Sequence, residues 1–200
     1  MSSLLNVGLF DMDGSLCDYE GRLARDLNRL RSPGEPEIVN LWKLENKYPY
    51  MRQRMRLIKS QKDWWFKLPP ITLGMRVFDA AREIGFTNMV LTKGPKRLPN
   101  AWGEKRAWCA KYLGRDVPVT VTENKGLTYG KFLYDDFPEY ARDWLEHRHN
   151  GLVIMPVTDS NRDNFPVHPQ ILPCTEENFD EVYAALVACY HRMPGEPLKL

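Results

Sequence analysis

The chain has 200 residues, of which 43% are hydrophobic, and this length predicts one sizeable domain or a core domain that carries a small insertion. Its formal net charge of +2 comes from 28 basic and 26 acidic residues, so it lacks the strongly basic signature of a nucleic-acid-binding protein. We therefore expect no long nucleic acid as a partner, whereas a small anionic substrate is compatible with this charge.

The cysteines and the apolar runs disfavour other classes of protein. Cys17, Cys109, Cys174 and Cys189 lie far apart without a CxxC pair, which indicates neither a zinc site nor a disulfide framework. The first apolar run is too short for a signal peptide, and no run is long enough to span a bilayer. We expect a soluble cytoplasmic protein with reduced thiols and no membrane partner.

The stretch LLNVGLFDMDGS, residues 4–15, contains an apolar run that ends in two aspartates. The run is typical of a parallel strand covered on both faces, and it places Asp11 and Asp13 at the carboxyl end of that strand. Like charges this close are costly to bury unless a cation neutralises them. The pair therefore suggests a metal site, although a simple polar turn would also contain these residues.

The region from Tyr19 to about Leu68 has helical spacing throughout and predicts a small helical cap inserted after the first strand. Three helices are expected there: one with Leu23, Leu27 and Leu30, one from about Ile38 to Tyr48, and one from Met51 onwards. We assign residues 18–68 to this cap, and residues 1–17 and 69–200 to the core domain. The cap is rich in aromatic residues, namely Trp42, Tyr48, Tyr50, Trp64, Trp65 and Phe66.

The rest of the chain alternates strands with helices. Strands are predicted at 86–91, 117–122, 132–134 and 152–157, with helices between them and a last helix that begins after Thr175 as its N-cap. Trp102 and Trp108 are expected on the apolar side of one helix. This alternation predicts a Rossmann-like, doubly wound parallel sheet in an α/β fold.

In such a sheet all strands end at one edge, which collects the candidate site residues Asp11, Asp13, Thr92, Lys125, Asp135 and Asp136. These residues can carry out phosphate-ester hydrolysis, which needs a nucleophile, an acid/base group and positive charge. Asp11 would attack phosphorus, Asp13 would protonate the leaving alcohol, and Thr92 and Lys125 would bind phosphate oxygens. Individually, Thr92 could be a helix cap, Lys125 a loop lysine, and the Asp135–Asp136 pair a turn.

The all-oxygen donors favour Mg²⁺, held by Asp11, the main-chain carbonyl of Asp13, and Asp136 with or without Asp135. Which of Asp135 and Asp136 is the direct ligand stays open.

The order DxDG, strand-end Thr, Lys and strand-end DD resembles the four motifs of the haloacid dehalogenase-like phosphohydrolases over about residues 4–160. The segments LPPITLG, VLTKGP, AWGEKRAWCAKYLG, VTVTENKG and FLYDDFPEY further resemble the 5'(3')-deoxyribonucleotidases. That resemblance implies that Lys105 points toward phosphate and that the loop containing Lys93 contacts the sugar and phosphate. Lys93 and Gly94 depart from the Ser and Pro usual in that family, which leaves the choice between ribose and deoxyribose open.

The leading hypothesis is a Mg²⁺-dependent phosphomonoesterase that acts on a (deoxy)nucleoside monophosphate through an aspartyl-phosphate. Most of the cap aromatics are expected to form the core of the cap. The pair Trp64 and Trp65 is the best candidate for stacking on the base, because two consecutive residues should not both point inward. The alternatives are a phosphatase for another metabolite or a nucleic-acid end, and a non-catalytic phosphate-binding protein on the same scaffold. The oligomeric state stays open, with a homodimer as one option.

Overall fold

A computed structural model describes residues 6–41, 44–193 and 195–197 of the chain. The described residues form a six-stranded, fully parallel sheet, with strands β1 (Val7–Phe10), β2 (Thr87–Thr92), β3 (Val119–Val121), β4 (Phe132–Tyr134), β5 (Leu152–Pro156) and β6 (Ile171–Cys174). The strand order is β3-β2-β1-β4-β5-β6. The chain therefore adds β2 and β3 on one side of β1 and then adds β4, β5 and β6 on the other side. This reversal of the strand order leaves a crevice at the carboxyl ends of the central strands.

Seven helices accompany the sheet in the described part of the chain: α1 (Tyr19–Arg29), α2 (Leu44–Lys47), α3 (Met51–Lys59), α4 (Thr72–Ile84), α5 (Asn100–Tyr112), α6 (Pro138–Glu146) and α7 (Phe179–His191). Helices α4, α5 and α7 pack in the hydrophobic cluster that contains Phe10, whereas α6 packs in a second cluster around Leu9. Consecutive side chains of β1 thus face opposite layers, as a strand requires. The predicted α/β fold with a doubly wound parallel sheet is confirmed.

The helices between β1 and α4 join the same hydrophobic cluster as one face of the sheet. Leu23 and Leu27 of α1 are buried there, as are Met55 and Ile58 of α3. Leu30, which was expected on the same apolar face, is the C-cap of α1 and is exposed. One hydrophobic cluster therefore continues from residues 23–65 into the α/β layers.

The predicted helix from Ile38 to Tyr48 is wrong over its first part. Of the described residues in this range, Leu44–Lys47 are helical, and residues 35–41 have no regular structure. Pro36 disfavours a helical conformation of the residue before it, and Asn28 exchanges two side-chain hydrogen bonds of 2.9 Å with the backbone of Ile38. These bonds hold Ile38 in a non-helical segment against α1. Leu4, Leu5 and Trp42, which also entered the predictions, lie outside the described residues.

Strand β6 was not predicted, because its four residues include Pro173 and lack alternation. It lies at the edge of the sheet, where a proline is tolerated. The last helix begins three residues later than expected, with Asn178 as its N-cap residue. The Asn178 side chain bonds to the preceding residues, accepting the Thr175 N–H and donating to the main-chain oxygen of Pro173, both at 2.8 Å. Trp102 is 45% exposed rather than on the apolar side of α5, whereas Trp108 is fully buried as expected.

No helix in the described part of the chain combines the length and the apolar character needed to cross a membrane.

Candidate active site

The predicted site residues converge at the carboxyl edge of the sheet. Asp11 directly follows β1, Thr92 is the last residue of β2, and Asp135 and Asp136 directly follow β4. Lys125 begins a short 3₁₀ helix, Lys125–Leu127, in the segment after β3. The strand ends therefore supply each of these groups to one place, as the parallel sheet predicts.

Each of the two aspartates in the DMDGS motif is hydrogen-bonded to a different buried lysine. Lys125 Nζ donates to Asp11 Oδ1 and to Asp135 Oδ2, both at 2.6 Å. Lys105 Nζ donates to Asp13 Oδ2 at 2.6 Å. Asp11 and Asp13 are thus held by different cations, although they lie only two residues apart.

Lys105 is fully buried on α5 and uses its other protons on the loop after β2. Its ammonium donates to Thr92 Oγ1 and to the main-chain oxygen of Lys93, both at 2.9 Å. Charge-assisted bonds of this kind are short and strong, so Lys105 fixes Asp13 relative to Thr92. The direct phosphate contact that the resemblance implies for Lys105 stays a prediction.

Asp136 lacks a lysine of its own. It accepts a 2.8 Å hydrogen bond from Ser15 Oγ, and in the described part of the chain no basic group lies within 4.0 Å of its carboxylate. Burial, reinforced by the charges of Asp11 and Asp135, raises the pKa of Asp136 well above its usual value. Gly14 leaves room for this carboxylate, because a Cβ at that position would lie 2.4 Å from Asp136 Oδ2.

The three carboxylates of Asp11, Asp135 and Asp136 are buried, and each offers an oxygen within 4.8 Å of the others. Burial also raises the pKa of Asp135 to about 6, although Lys125 opposes this rise. A hard divalent cation fits such a group, because it prefers carboxylate oxygens and would neutralise the negative charge that Lys125 leaves uncompensated. The Asp13 side chain is directed to Lys105, so any contribution of Asp13 to such a site would come from its main-chain oxygen.

A cavity of about 210 Å³ opens above these groups. Its lining residues are Asp11, Asp13, Tyr19, Glu20, Lys93, Asp136, Phe137 and Tyr140. The sequence analysis missed four of them: Tyr19, Glu20, Phe137 and Tyr140. The last two belong to the segment FLYDDFPEY, so their closeness to the aspartate pair was the signal that could have identified them.

Asn161 is a further residue that the sequence analysis missed. It is buried in the loop after β5, and its Nδ2 donates to the main-chain oxygens of Asp136 and Pro156 at 2.8 and 2.9 Å. These bonds fix the backbone at the Asp135–Asp136 pair. The position of Asn161 in a polar loop at the same sheet edge was its sequence signal.

Trp64 and Trp65 do not line this cavity. Each is only 2% exposed, Trp64 Nε1 donates to Asp26 Oδ2 at 2.9 Å, and Trp65 Nε1 donates to the main-chain oxygen of Lys59 at 3.0 Å. Tyr19 contacts both indole rings, lying edge-on to Trp64 and stacked on Trp65. The expectation that one of the pair points outward is therefore wrong, because the non-helical turn around Asp63 lets both pack inward.

The strand order and the carboxylates at the strand ends give the chain a haloacid dehalogenase-like fold. A structure titled a HAD family hydrolase from Deinococcus radiodurans R1, with bound phosphate and sodium, superposes with a TM-score of 0.52 at 11% identity, covering 94% of this chain and 97% of that one. At this identity the likeness shows the fold alone.

The sequence comparison is more specific. The family model described as "5' nucleotidase, deoxy (Pyrimidine), cytosolic type C protein" matches residues 6–164, and the chain belongs to this family. The mitochondrial 5'(3')-deoxyribonucleotidases of Homo sapiens and Mus musculus are each 28% identical, over 143 and 142 residues, or 66% of this chain. The matches span 62% and 64% of those two relatives, which is less than two thirds of their length.

Proposed function

We propose that this protein is a phosphomonoesterase that removes phosphate from (deoxy)nucleoside monophosphates. The observation that carries the proposal is the separate pairing of the two motif aspartates, Asp11 with Lys125 and Asp13 with Lys105, at the floor of one cavity. The family membership and the names of the two mitochondrial relatives support a nucleotide as the substrate.

Asp11 is assigned as the nucleophile. Its carboxylate oxygen attacks phosphorus, the bond from phosphorus to the leaving oxygen breaks, and an aspartyl-phosphate forms. Lys125, which contacts Asp11 at 2.6 Å, supplies positive charge beside the non-bridging oxygens of the phosphoryl group. Thr92 offers its hydroxyl at the end of the neighbouring strand.

Asp13 is assigned as the acid/base group. Burial raises its pKa above the usual value although Lys105 opposes this rise, and a raised pKa favours the protonated form that donates to the leaving alcohol. In the second half of the reaction Asp13 takes a proton from water, whose oxygen attacks phosphorus and releases Asp11. Every proton given by Asp13 is thus recovered within one turnover.

Asp11, Asp136 and the main-chain oxygen of Asp13, with Asp135 beside them, would hold Mg²⁺. The bound cation would supply charge neutralisation between the carboxylates and the incoming phosphate. We also propose that residues 18–68 form a cap, since α1 places Tyr19 and Glu20 in the wall of the cavity.

The test is phosphate release from a panel of ribo- and deoxynucleoside 5'- and 3'-monophosphates, with p-nitrophenyl phosphate as a small reference substrate. Each reaction is run with Mg²⁺ and with excess chelator. We expect nucleotide hydrolysis that is lost on chelation and restored by Mg²⁺. Undiminished activity in excess chelator would rule out the metal assignment, and hydrolysis of the reference substrate but of no nucleotide would favour the alternative of another metabolite.

A further inference from the structure

The wall of the active-site cavity carries four carboxyl groups and one cation. The carboxyl groups belong to Asp11, Asp13, Glu20 and Asp136, and the cation is Lys93. Lys105 and Lys125, which lie beneath the wall, are each bonded to a carboxylate. Lys93 is the exception, because no carboxylate in the described part of the chain lies within 4.0 Å of its ammonium group.

The backbone at Lys93 is held firmly although its side chain is exposed. Its main-chain oxygen accepts the 2.9 Å bond from Lys105, and the next residue, Gly94, packs so closely that a Cβ there would lie 2.5 Å from Trp102 Cε2. The starting point of the Lys93 side chain is therefore fixed beside Asp13 and Thr92. Only the flexible stem and the ammonium group remain free to adapt to a ligand.

Tyr140 lies close to both Lys93 and Lys125. Lys93 Nζ lies 4.8 Å from the centroid of the Tyr140 ring, and Lys125 Nζ lies 4.7 Å from the same centroid. Lys93 and the lysine beside the nucleophile thus contact the same aromatic ring, and Lys125 is already bonded to Asp11 and Asp135 whereas Lys93 has no such ion pair among the described residues.

We infer that Lys93 binds a second phosphate of the substrate, so that the protein prefers nucleotides with another phosphate on the sugar over nucleoside monophosphates. This inference rests on the proposed phosphomonoesterase function. A second dianion would otherwise enter a cavity whose wall is mainly acidic, and repulsion there would oppose binding. Lys93 supplies the compensating charge in the same cavity wall.

The test compares kcat/KM for a deoxynucleoside 3',5'-bisphosphate with that for the corresponding 5'-monophosphate. The variants are Lys93→Ser, Lys93→Glu and the charge-conserving Lys93→Arg. Lys96→Ser is the matched control, because Lys96 is in the same loop but is paired with Glu123 at 2.9 Å on the exposed surface. Circular dichroism and thermal unfolding of each variant report whether the fold is retained.

We expect the bisphosphate-to-monophosphate ratio to fall about 10-fold in Lys93→Ser, which is the loss typical of a hydrogen bond to a charged group. The fall should be larger in Lys93→Glu, and Lys93→Arg should restore most of the ratio. Lys96→Ser should leave it unchanged. A loss on both substrates by the same factor, or an unchanged ratio in Lys93→Glu, would overturn the inference while leaving the proposed function intact. Absence of hydrolysis of any nucleotide by the wild-type protein would instead refute the function, and this inference with it.

Discussion

Asp11 and Asp13 illustrate how two identical side chains acquire different chemistry from their neighbours. Lys125 neutralises Asp11 and simultaneously binds Asp135, whereas Lys105 binds Asp13 and Thr92. Burial of Lys125 opposes its charged form, but the negative charges of Asp11 and Asp135 outweigh this effect and raise the pKa of Lys125 above its usual value. Lys125 therefore stays protonated and keeps one positive charge next to the assigned nucleophile.

Asp11→Asn tests this assignment directly. The amide keeps the shape of the side chain and can accept a hydrogen bond from Lys125, but it cannot form an aspartyl-phosphate. We expect a folded protein with no measurable phosphate release from deoxynucleoside monophosphates. Asp163→Asn, an exposed aspartate in the loop after β5, is the control and should retain wild-type turnover. Near wild-type turnover in Asp11→Asn would exclude the covalent mechanism.

Asp136→Asn separates the metal site from the nucleophile. Burial raises the pKa of Asp136, so without a cation the buried site favours the uncharged carboxyl group. The amide of Asn is also uncharged and has nearly the same shape, so the metal-free variant should be about as stable as the wild type. Mg²⁺ should raise the free energy of unfolding of the wild type by about 2.7 kcal/mol at a concentration 100 times its Kd, and the Tm should rise with it. The variant should lose this rise in thermal unfolding experiments with Mg²⁺ or chelator. An equal rise in both proteins would remove Asp136 from the ligand set.

The sequence predicted that Asp11, Thr92, Lys125 and Asp136 lie together, because parallel strands end at one edge of the sheet and residue type and strand position were sufficient. It could not assign which lysine pairs with which aspartate, since these contacts join residues 92 and 114 positions apart. The sequence also could not predict that Trp64 and Trp65 both pack inward, because this packing depends on a turn in which Asp63 has a positive φ of 64°.

At the scale of elements, α5 joins the site to the segment that leads out of the proposed cap. Lys105 points into the site, while the adjacent Glu104 accepts the main-chain N–H groups of Asp63 and Trp65 at 3.0 and 3.1 Å. One turn further along, Trp108 Nε1 donates to the main-chain oxygen of Leu68 at 2.8 Å. A single helix thus fixes both a site lysine and the returning backbone.

Glu104→Ala should loosen this segment without removing any group from the cavity wall. Loss of the two acceptors leaves two partly buried N–H groups unsatisfied, so we expect a loss of about 1–3 kcal/mol in stability. Hydrogen exchange at residues 63–67 should accelerate, and the KM for nucleotides should rise more than kcat falls. Glu83→Ala, an exposed change on α4, is the control. Unchanged exchange in Glu104→Ala would show that the Trp108 bond alone holds the segment.

Helices with strong periodicity were predicted well, as α3 and α4 show. Gly85, for example, ends α4 in a left-handed conformation with a φ of 112°, and a glycine at this position is a sequence signal for the end of a helix. Two four-residue elements, α2 and β6, were predicted poorly, because neither shows a clear period and tertiary contacts decide their conformation. Side-chain bonds that periodicity does not reveal contribute here: Asn28 bonds to the backbone of Ile38, and Asn178 bonds to the preceding backbone at Pro173 and Thr175.

At the scale of the whole molecule, the strand order explains why the site lies where it does. The chain runs outward from β1 through β2 to β3, and then returns to the other side of β1 with β4, β5 and β6. Loops after β1 and β4 therefore diverge, and the cavity forms between them. The same order places β1 between β2 and β4, and the two hydrophobic clusters cover its faces, so the charged groups of the site follow a buried apolar strand.

The four cysteine thiols are buried, so the rate at which they react with a thiol reagent should measure local opening and global unfolding of the protein. Cys17, Cys109, Cys174 and Cys189 are all free and buried. Burial raises the pKa of Cys109 and Cys174 to about 12 and that of Cys189 to about 11, and it also raises the pKa of Cys17, which lies 3.9 Å from Asp13. The reactive thiolate is therefore scarce at neutral pH, and the reagent has no direct access.

We expect an aromatic disulfide reagent to modify the native protein slowly and all four thiols rapidly once denaturant is added. Peptide mapping by mass spectrometry should show Cys17 reacting at a rate that Mg²⁺ and phosphate lower, because ligands that hold the site closed suppress the local opening that exposes this residue. Cys189, which lies on α7 away from the site, is the internal control and should respond less to the ligands. Immediate stoichiometric labelling of any thiol in the native protein would contradict the buried placement of that residue.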